Sequence, residues 1–261
     1  MKEFLGFGGY TREAEGYFSA EHLTFVTSLI VMMIALAVWL GRKNRKADHR
    51  RKNKVLIWSA LLIDGFEIFK LVIFCLRSGE VTSLLNNLPL FLCSIQLITI
   101  PLAAFSKGRI KEASLDFVCI FGLLGAILGT YGAGQNYAAY PVMSLDNVVS
   151  GITHCISGFA ALYIFVSGMV SMKKENMVLT FGILVFFCMA AYVTNILVDY
   201  NYMFLMRGDG TPYDIFYNLV DGHRALYPMI VVVLFLIYIS VFYFVYFRVT
   251  KNRKKSPAAV S

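Results

Sequence analysis

Cys93 and His154 are the two residues whose types could perform nucleophilic chemistry inside this chain. Cys93 lies in "LPLFLCSIQL" and His154 in "SGITHCISGF", both apolar stretches in which polar groups are costly. A thiolate is the attacking form of cysteine, and an imidazole can accept the thiol proton. Gln96 follows Cys93 by three positions. Asp64, Glu67 and Lys70 recur at intervals of three in "VLIWSALLIDGFEIFKLVIFCL", so Glu67 and Lys70 can pair on one helix face. His22 opens one apolar run, and Asn195 and Asn201 flank the end of another. This residue set reads as catalytic at Cys93 and His154. It reads as substrate-binding at His22, Glu67, Lys70, Gln96, Asn195 and Asn201. Blander readings stand beside it. Buried cysteines often serve as small hydrophobes, a lone histidine can simply bond a neighbouring helix, and Cys93 could pair with Cys75 in a disulfide if their helix ends meet.

The elements that must position these residues follow from composition. The 261 residues are 58% hydrophobic and only 15% charged, whereas a soluble domain carries nearer a quarter charged residues. Apolar runs of about 20 residues recur along the chain, the length that crosses a hydrocarbon core. The expected fold is all-α: a polytopic transmembrane bundle of about seven helices forming a single integral membrane domain. The spans are drawn at 21–41, 55–76, 88–105, 115–134, 148–170, 177–199 and 225–247, with a basic tail at 248–261.

Eight Lys or Arg crowd "RKNRKADHRRKNK" at residues 42–54. With the other connections on that side they make up 18 of the 24 basic residues. The positive-inside rule then puts the N-terminus outside and the C-terminus in the cytoplasm of a multi-pass plasma-membrane protein. The net charge of +8 is thereby explained without nucleic acid. In the fourth span, Gly122, Gly125, Gly129 and Gly132 form a stripe that lets a neighbouring backbone come close.

Depth brings the polar residues together. Counted at about 1.5 Å per residue, Cys93 lies roughly 7 Å and His154 roughly 9 Å from the outer ends of their spans. Lys70, His22 and Asn195 share that outer half, and nothing comparable is expected in the inner half. The expectation is a polar pocket opening outward between the first, second, third, fifth and sixth spans.

Four stretches resemble the YwaF-like family of bacterial integral membrane proteins over nearly the whole chain: "EHL" at the first span, "LPLFLC" ending at Cys93, "ITHC" around His154, and "TNILVDYNYMFLM" at residues 194–206. That family is remotely similar to eukaryotic membrane acyltransferases that remodel phospholipids through a third-span cysteine. The resemblance implies Cys93 as nucleophile and His154 as base. It departs at Phe91, where the family usually carries histidine.

The leading expectation is therefore lipid acyl transfer, or lipid hydrolysis, through a cysteine nucleophile. Two other readings stay open: a solute or proton-coupled transporter using Asp64, Glu67 and Lys70, and a non-catalytic scaffold. Membrane lipids are the expected partners. No cofactor, metal or nucleic acid is expected, and the oligomeric state is left open. The seventh span carries no lysine, which excludes a retinal Schiff base.

Overall fold

Residues 113–122 are buried without interruption. A surface helix buries only a stripe, so the helix that carries them must be surrounded by others. The computed structural model describes residues 2–255, and among these the chain is all-helical, with no strand. Two compact units divide between Ser171 and Met172. The first contains α1 (Lys2–Leu5), α2 (Ala20–Asn44), α3 (His49–Ser78), a 3-10 stretch (Val81–Asn87), α4 (Gln96–Phe105), α5 (Gly108–Leu128), α6 (Gly134–Ala139) and α7 (Leu145–Ser167). Helix α5 packs against α4 and α7, and α7 also meets α2 and α3. The second unit contains α8 (Lys174–Val198), a 3-10 turn (Tyr202–Phe204), α9 (Asp214–Leu219) and α10 (Leu226–Lys255).

Local chemistry sets the helix ends. The Ser19, Asp48 and Ser144 side chains accept from the first free N–H groups of α2, α3 and α7. Gly79 and Gly168 close α3 and α7 with φ of 69° and 73°, a conformation that glycine adopts without steric cost.

Among the described residues, four helices are long and apolar enough to cross a membrane: α2, α7, α8 and the Leu226–Lys251 part of α10. Four of the seven expected spans therefore meet this criterion of length and composition. Although α3 has 30 residues and α5 has 21, α3 carries charges along its length and α5 carries four, Arg109, Lys111, Glu112 and Asp116, in its first half. The expected third span, 88–105, is not one helix. Leu88 is extended, with φ −64° and ψ 150°, as a residue before proline prefers. A turn follows, in which the Phe91 carbonyl accepts the Ile95 N–H at 3.1 Å, and regular α-helix begins only at Gln96. At the other terminus α10 runs on to Lys255. The rest of the expected 248–261 tail lies outside the described residues.

The segment ahead of α2 is tied down by an ion pair that sequence reading did not anticipate. Arg77, in the last turn of α3, donates Nη1 and Nη2 to the two oxygens of Asp146, in the first turn of α7, each at 2.9 Å. Tyr10 donates its hydroxyl to the same carboxylate. Phe74 underlies the guanidinium at 4.6 Å. Nearby, Glu15 accepts the Val142 N–H at 2.7 Å.

Arg77→Met strands a nearly buried carboxylate. The expected loss is about 3 kcal/mol, the low end for breaking a buried pair, because Arg77 keeps 17% side-chain exposure. Much of the loss should return in the Arg77→Met/Asp146→Asn double variant, read by thermal unfolding in detergent. Burial, together with the Asp146 hydrogen bond, pushes the Tyr10 phenol up to about 12. The unfolded phenol ionises near pH 10, so Tyr10 stabilises the fold fully below about pH 10 and loses that contribution as pH rises toward about 12. Stability of Tyr10→Phe should lack this component of the alkaline slope.

Candidate active site

His154 faces its own helix on one side. Its Nδ1 lies 2.7 Å from the Ser150 carbonyl oxygen, one turn earlier on α7. A carbonyl can only accept, so Nδ1 carries the proton and the neutral ring keeps its lone pair on Nε2. The His154 side chain is hydrogen-bonded to the Cys93 thiol. With Nδ1 engaged by Ser150, the nitrogen left for the thiol proton is Nε2. Cys93 sits in the turn ahead of α4, where its carbonyl accepts the Gln96 N–H at 3.3 Å, and the Ser94 side chain also bonds its sulfur. Both Cys93 and His154 are only partly buried, so a ligand can reach them. A thiol with an oriented base beside it is the arrangement that nucleophilic catalysis by cysteine requires.

The glycine stripe on α5 provides the room. A Cβ on Gly122 would come within 2.8 Å of the Ser157 carbonyl oxygen, so α5 and α7 touch there backbone to backbone. One turn on, a Cβ on Gly125 would lie 3.4 Å from Cys93 Cβ, an ordinary contact. At Gly129 a Cβ would overlap the His154 ring itself. The stripe therefore does more than pack helices, because two of its members border the reactive pair.

The remaining expected residues divide. Gln96 is buried on α4 beside Cys93, with Oε1 accepting from Thr99 Oγ1 at 3.1 Å. Lys70 pairs with Glu67 at 2.6 Å, as the spacing predicts, and lies within electrostatic range of His154. His22, by contrast, is fully buried, with Nδ1 accepting the Phe18 N–H at 3.1 Å and Nε2 donating to the Thr130 carbonyl at 3.2 Å. Both nitrogens are used, so His22 pins the end of α5 to the start of α2 and offers nothing to a substrate.

Asn195 and Asn201 belong to the second unit and serve its backbone. Asn195 accepts the Tyr202 N–H at 2.6 Å and donates to the Tyr202 carbonyl at 3.0 Å. Asn201 donates to the Arg207 carbonyl at 2.8 Å and accepts the Met206 N–H at 2.9 Å. Between and beside them Asp199, Met203 and Phe204 hold φ of 50°, 55° and 56°. The "NILVDYNYMF" stretch is thus a loop lock. The proposed Cys75–Cys93 bridge does not form, since all five cysteines are thiols.

Sequence reading also missed a polar cluster at the far end of α5. Asp116 is fully buried and accepts from Ser171 Oγ at 3.1 Å. Asn44, at the end of α2, donates to the hydroxyl of Tyr163, late in α7, at 3.1 Å. Buried polar residues therefore occupy both ends of the unit. On its apolar side, a groove of about 330 Å³ runs between α2, α3 and α7. Met33, Trp58 and Phe159 line it together with Cys155, the residue next to His154.

A sequence model of the TMEM164 family matches residues 17–246. The chain belongs to the TMEM164 family, a family of membrane proteins. The matched stretch runs from the residues before α2 into α10 and includes Cys93, Gln96, Gly129 and His154. No curated protein and no solved structure matches the chain. Family membership and the apolar helices together make this an integral membrane protein.

Gly129→Ala should displace the imidazole and slow alkylation of Cys93 by iodoacetamide to the rate seen in His154→Ala. Gly125→Ala, whose added methyl group meets Cys93 at an ordinary distance, should stay within about threefold of wild type, well under the tenfold that 1.4 kcal/mol represents. Equal rates in both alanine variants would remove Gly129 from the site.

Proposed function

We propose that the chain is a lipid-directed acyltransferase of the plasma membrane. It crosses the bilayer seven times, with the N-terminus outside and the reactive pair toward the outer face. The observation that carries this reading is the Cys93–His154 hydrogen bond, with the His154 tautomer set by the Ser150 carbonyl. The sequence resemblance to YwaF-like proteins, and through them to phospholipid-remodelling acyltransferases, points the same way.

In the first half-reaction His154 Nε2 takes the thiol proton, and Cys93 Sγ attacks the carbonyl carbon of an acyl ester. A C–S bond forms and the ester C–O bond breaks. The departing alkoxide takes the proton from His154, leaving a thioester on Cys93 and a lysolipid. In the second half-reaction His154 takes the proton of an acceptor hydroxyl, whose oxygen displaces Cys93 from the thioester. The thiolate is then reprotonated by His154. No oxidant or cofactor enters the balance. The apolar groove beside Cys155 would give an acyl chain from the bilayer a place near this chemistry.

The transport reading draws on Asp64, Glu67 and Lys70. Glu67 and Lys70 neutralise each other within α3, which favours a structural pair over a solute site. The deciding experiment compares Cys93→Ala and His154→Ala with wild type, by lipid profiling of the host membrane and by acid trapping of hydroxylamine-labile acyl-Cys93. Acyl-Cys93 should accumulate in wild type only, with lipid profiles shifted in both variants. Unchanged profiles and no trapped thioester would refute acyl transfer.

A further inference from the structure

Acyl transfer through Cys93 needs a donor for the oxygen that becomes negative as sulfur attacks. Such donors commonly contribute more than any other group in this class of reaction. Two candidates are already committed: Lys70 Nζ is held by Glu67 at 2.6 Å, and Asn195 spends both ends of its amide on the Tyr202 backbone. Gln96 differs from both. Its side chain is fully buried, its Oε1 is held by Thr99, and its Nε2 has no partner among the protein's atoms.

A buried amide with both N–H bonds unused bears the desolvation penalty without compensation. Packing does not require it, because methionine would fill nearly the same volume. The position of Gln96 suggests why it is kept. Its backbone N–H bonds the Cys93 carbonyl at 3.3 Å, and helical side chains lean over the turn that precedes them. That turn carries Cys93.

We propose that Gln96 Nε2 is the oxyanion donor, and that the reacting group of the substrate is an acyl carbonyl. As the C–S bond forms, the carbonyl π electrons move onto oxygen, and Gln96 donates a hydrogen bond to it while keeping its proton. Collapse of this intermediate breaks the ester C–O bond, as above. An uncharged N–H donor suits a single carbonyl oxygen. A phosphoryl group spreads charge over three oxygens and calls for cations. The inference rests on the acyl-transfer reading and adds its missing electrostatic component.

The test uses the full chain in vesicles of phosphatidylcholine and phosphatidylethanolamine carrying a radiolabelled acyl ester. The rate of acyl-Cys93 formation is measured in a single turnover. Gln96→Met should acylate about 10²–10³-fold more slowly, the loss typical of one oxyanion donor. Its Cys93 should still alkylate with iodoacetamide at the wild-type rate, and its melting temperature should equal or exceed wild type, because an orphaned donor has been removed. Gln96→Glu keeps an acceptor for Thr99 and lacks the N–H donors, so it reads the same effect if Gln96→Met does not fold.

Wild-type acylation rates in either folded variant would overturn the Gln96 assignment alone. So would a melting temperature and an alkylation rate that fall together with acylation, since that is the mark of a structural residue. Absence of acyl-Cys93 in wild type would overturn the acyl-transfer reading and the Gln96 assignment with it.

Discussion

The close approach of α5 to α7 is the constraint on which the rest of the first unit depends. Gly122 lets the Ser157 carbonyl come near the α5 backbone, and Gly129 leaves the space that the His154 ring fills. Without that approach the imidazole would have to turn outward, away from Cys93. The cost is borne by α5, which gives up side chains at these positions and recovers packing elsewhere. Phe117, Val118 and Ile120 are fully buried on the same helix. A membrane helix gains little from apolar association in itself, so shape complementarity through small residues has to hold the pair together.

Given that contact, the geometry of the pair is largely preset. The Ser150 carbonyl orients one face of the His154 ring and selects its tautomer, and the turn ahead of α4 presents Cys93 to the other. The Arg77–Asp146 pair holds the first turn of α7 to the last turn of α3, so the helix that carries His154 is fixed at its near end. His22 performs the equivalent task between α2 and the end of α5. Two of the unit's buried polar clusters thus serve the same end: they stop the helices sliding past each other, and the site inherits their rigidity.

Depth in the bilayer was enough to pair Cys93 with His154 on paper, because both positions follow from counting residues along apolar runs. The same counting marked Glu67 and Lys70 as partners, and their spacing along one helix was sufficient to pair them. It failed where the partner is a backbone group. His22, Asn195 and Asn201 have the composition of ligand residues, yet their hydrogen bonds go to main-chain N–H and C=O groups that have no sequence signature, with Asn201 donating to Asp209 as well. It failed again where the partner is remote, as with Arg77 and Asp146, 69 positions apart. The helix drawn through residues 88–105 went wrong for a local reason. Pro89 forces Leu88 to be extended, and apolar composition outweighed that signal. Asp116 escaped notice because the expected span began one residue before it, whereas α5 begins at Gly108 and carries it well inside.

Phe91 stands two residues before Cys93, in the same turn. Its backbone carbonyl accepts the Ile95 N–H at 3.1 Å and so helps shape the turn that presents Cys93. Any residue type can make that bond. A histidine here would add a second imidazole to the turn, and the Cys93 proton can go to only one base at a time. With His154 bonded to Cys93 and its tautomer set by Ser150, the phenylalanine removes nothing that proton transfer requires.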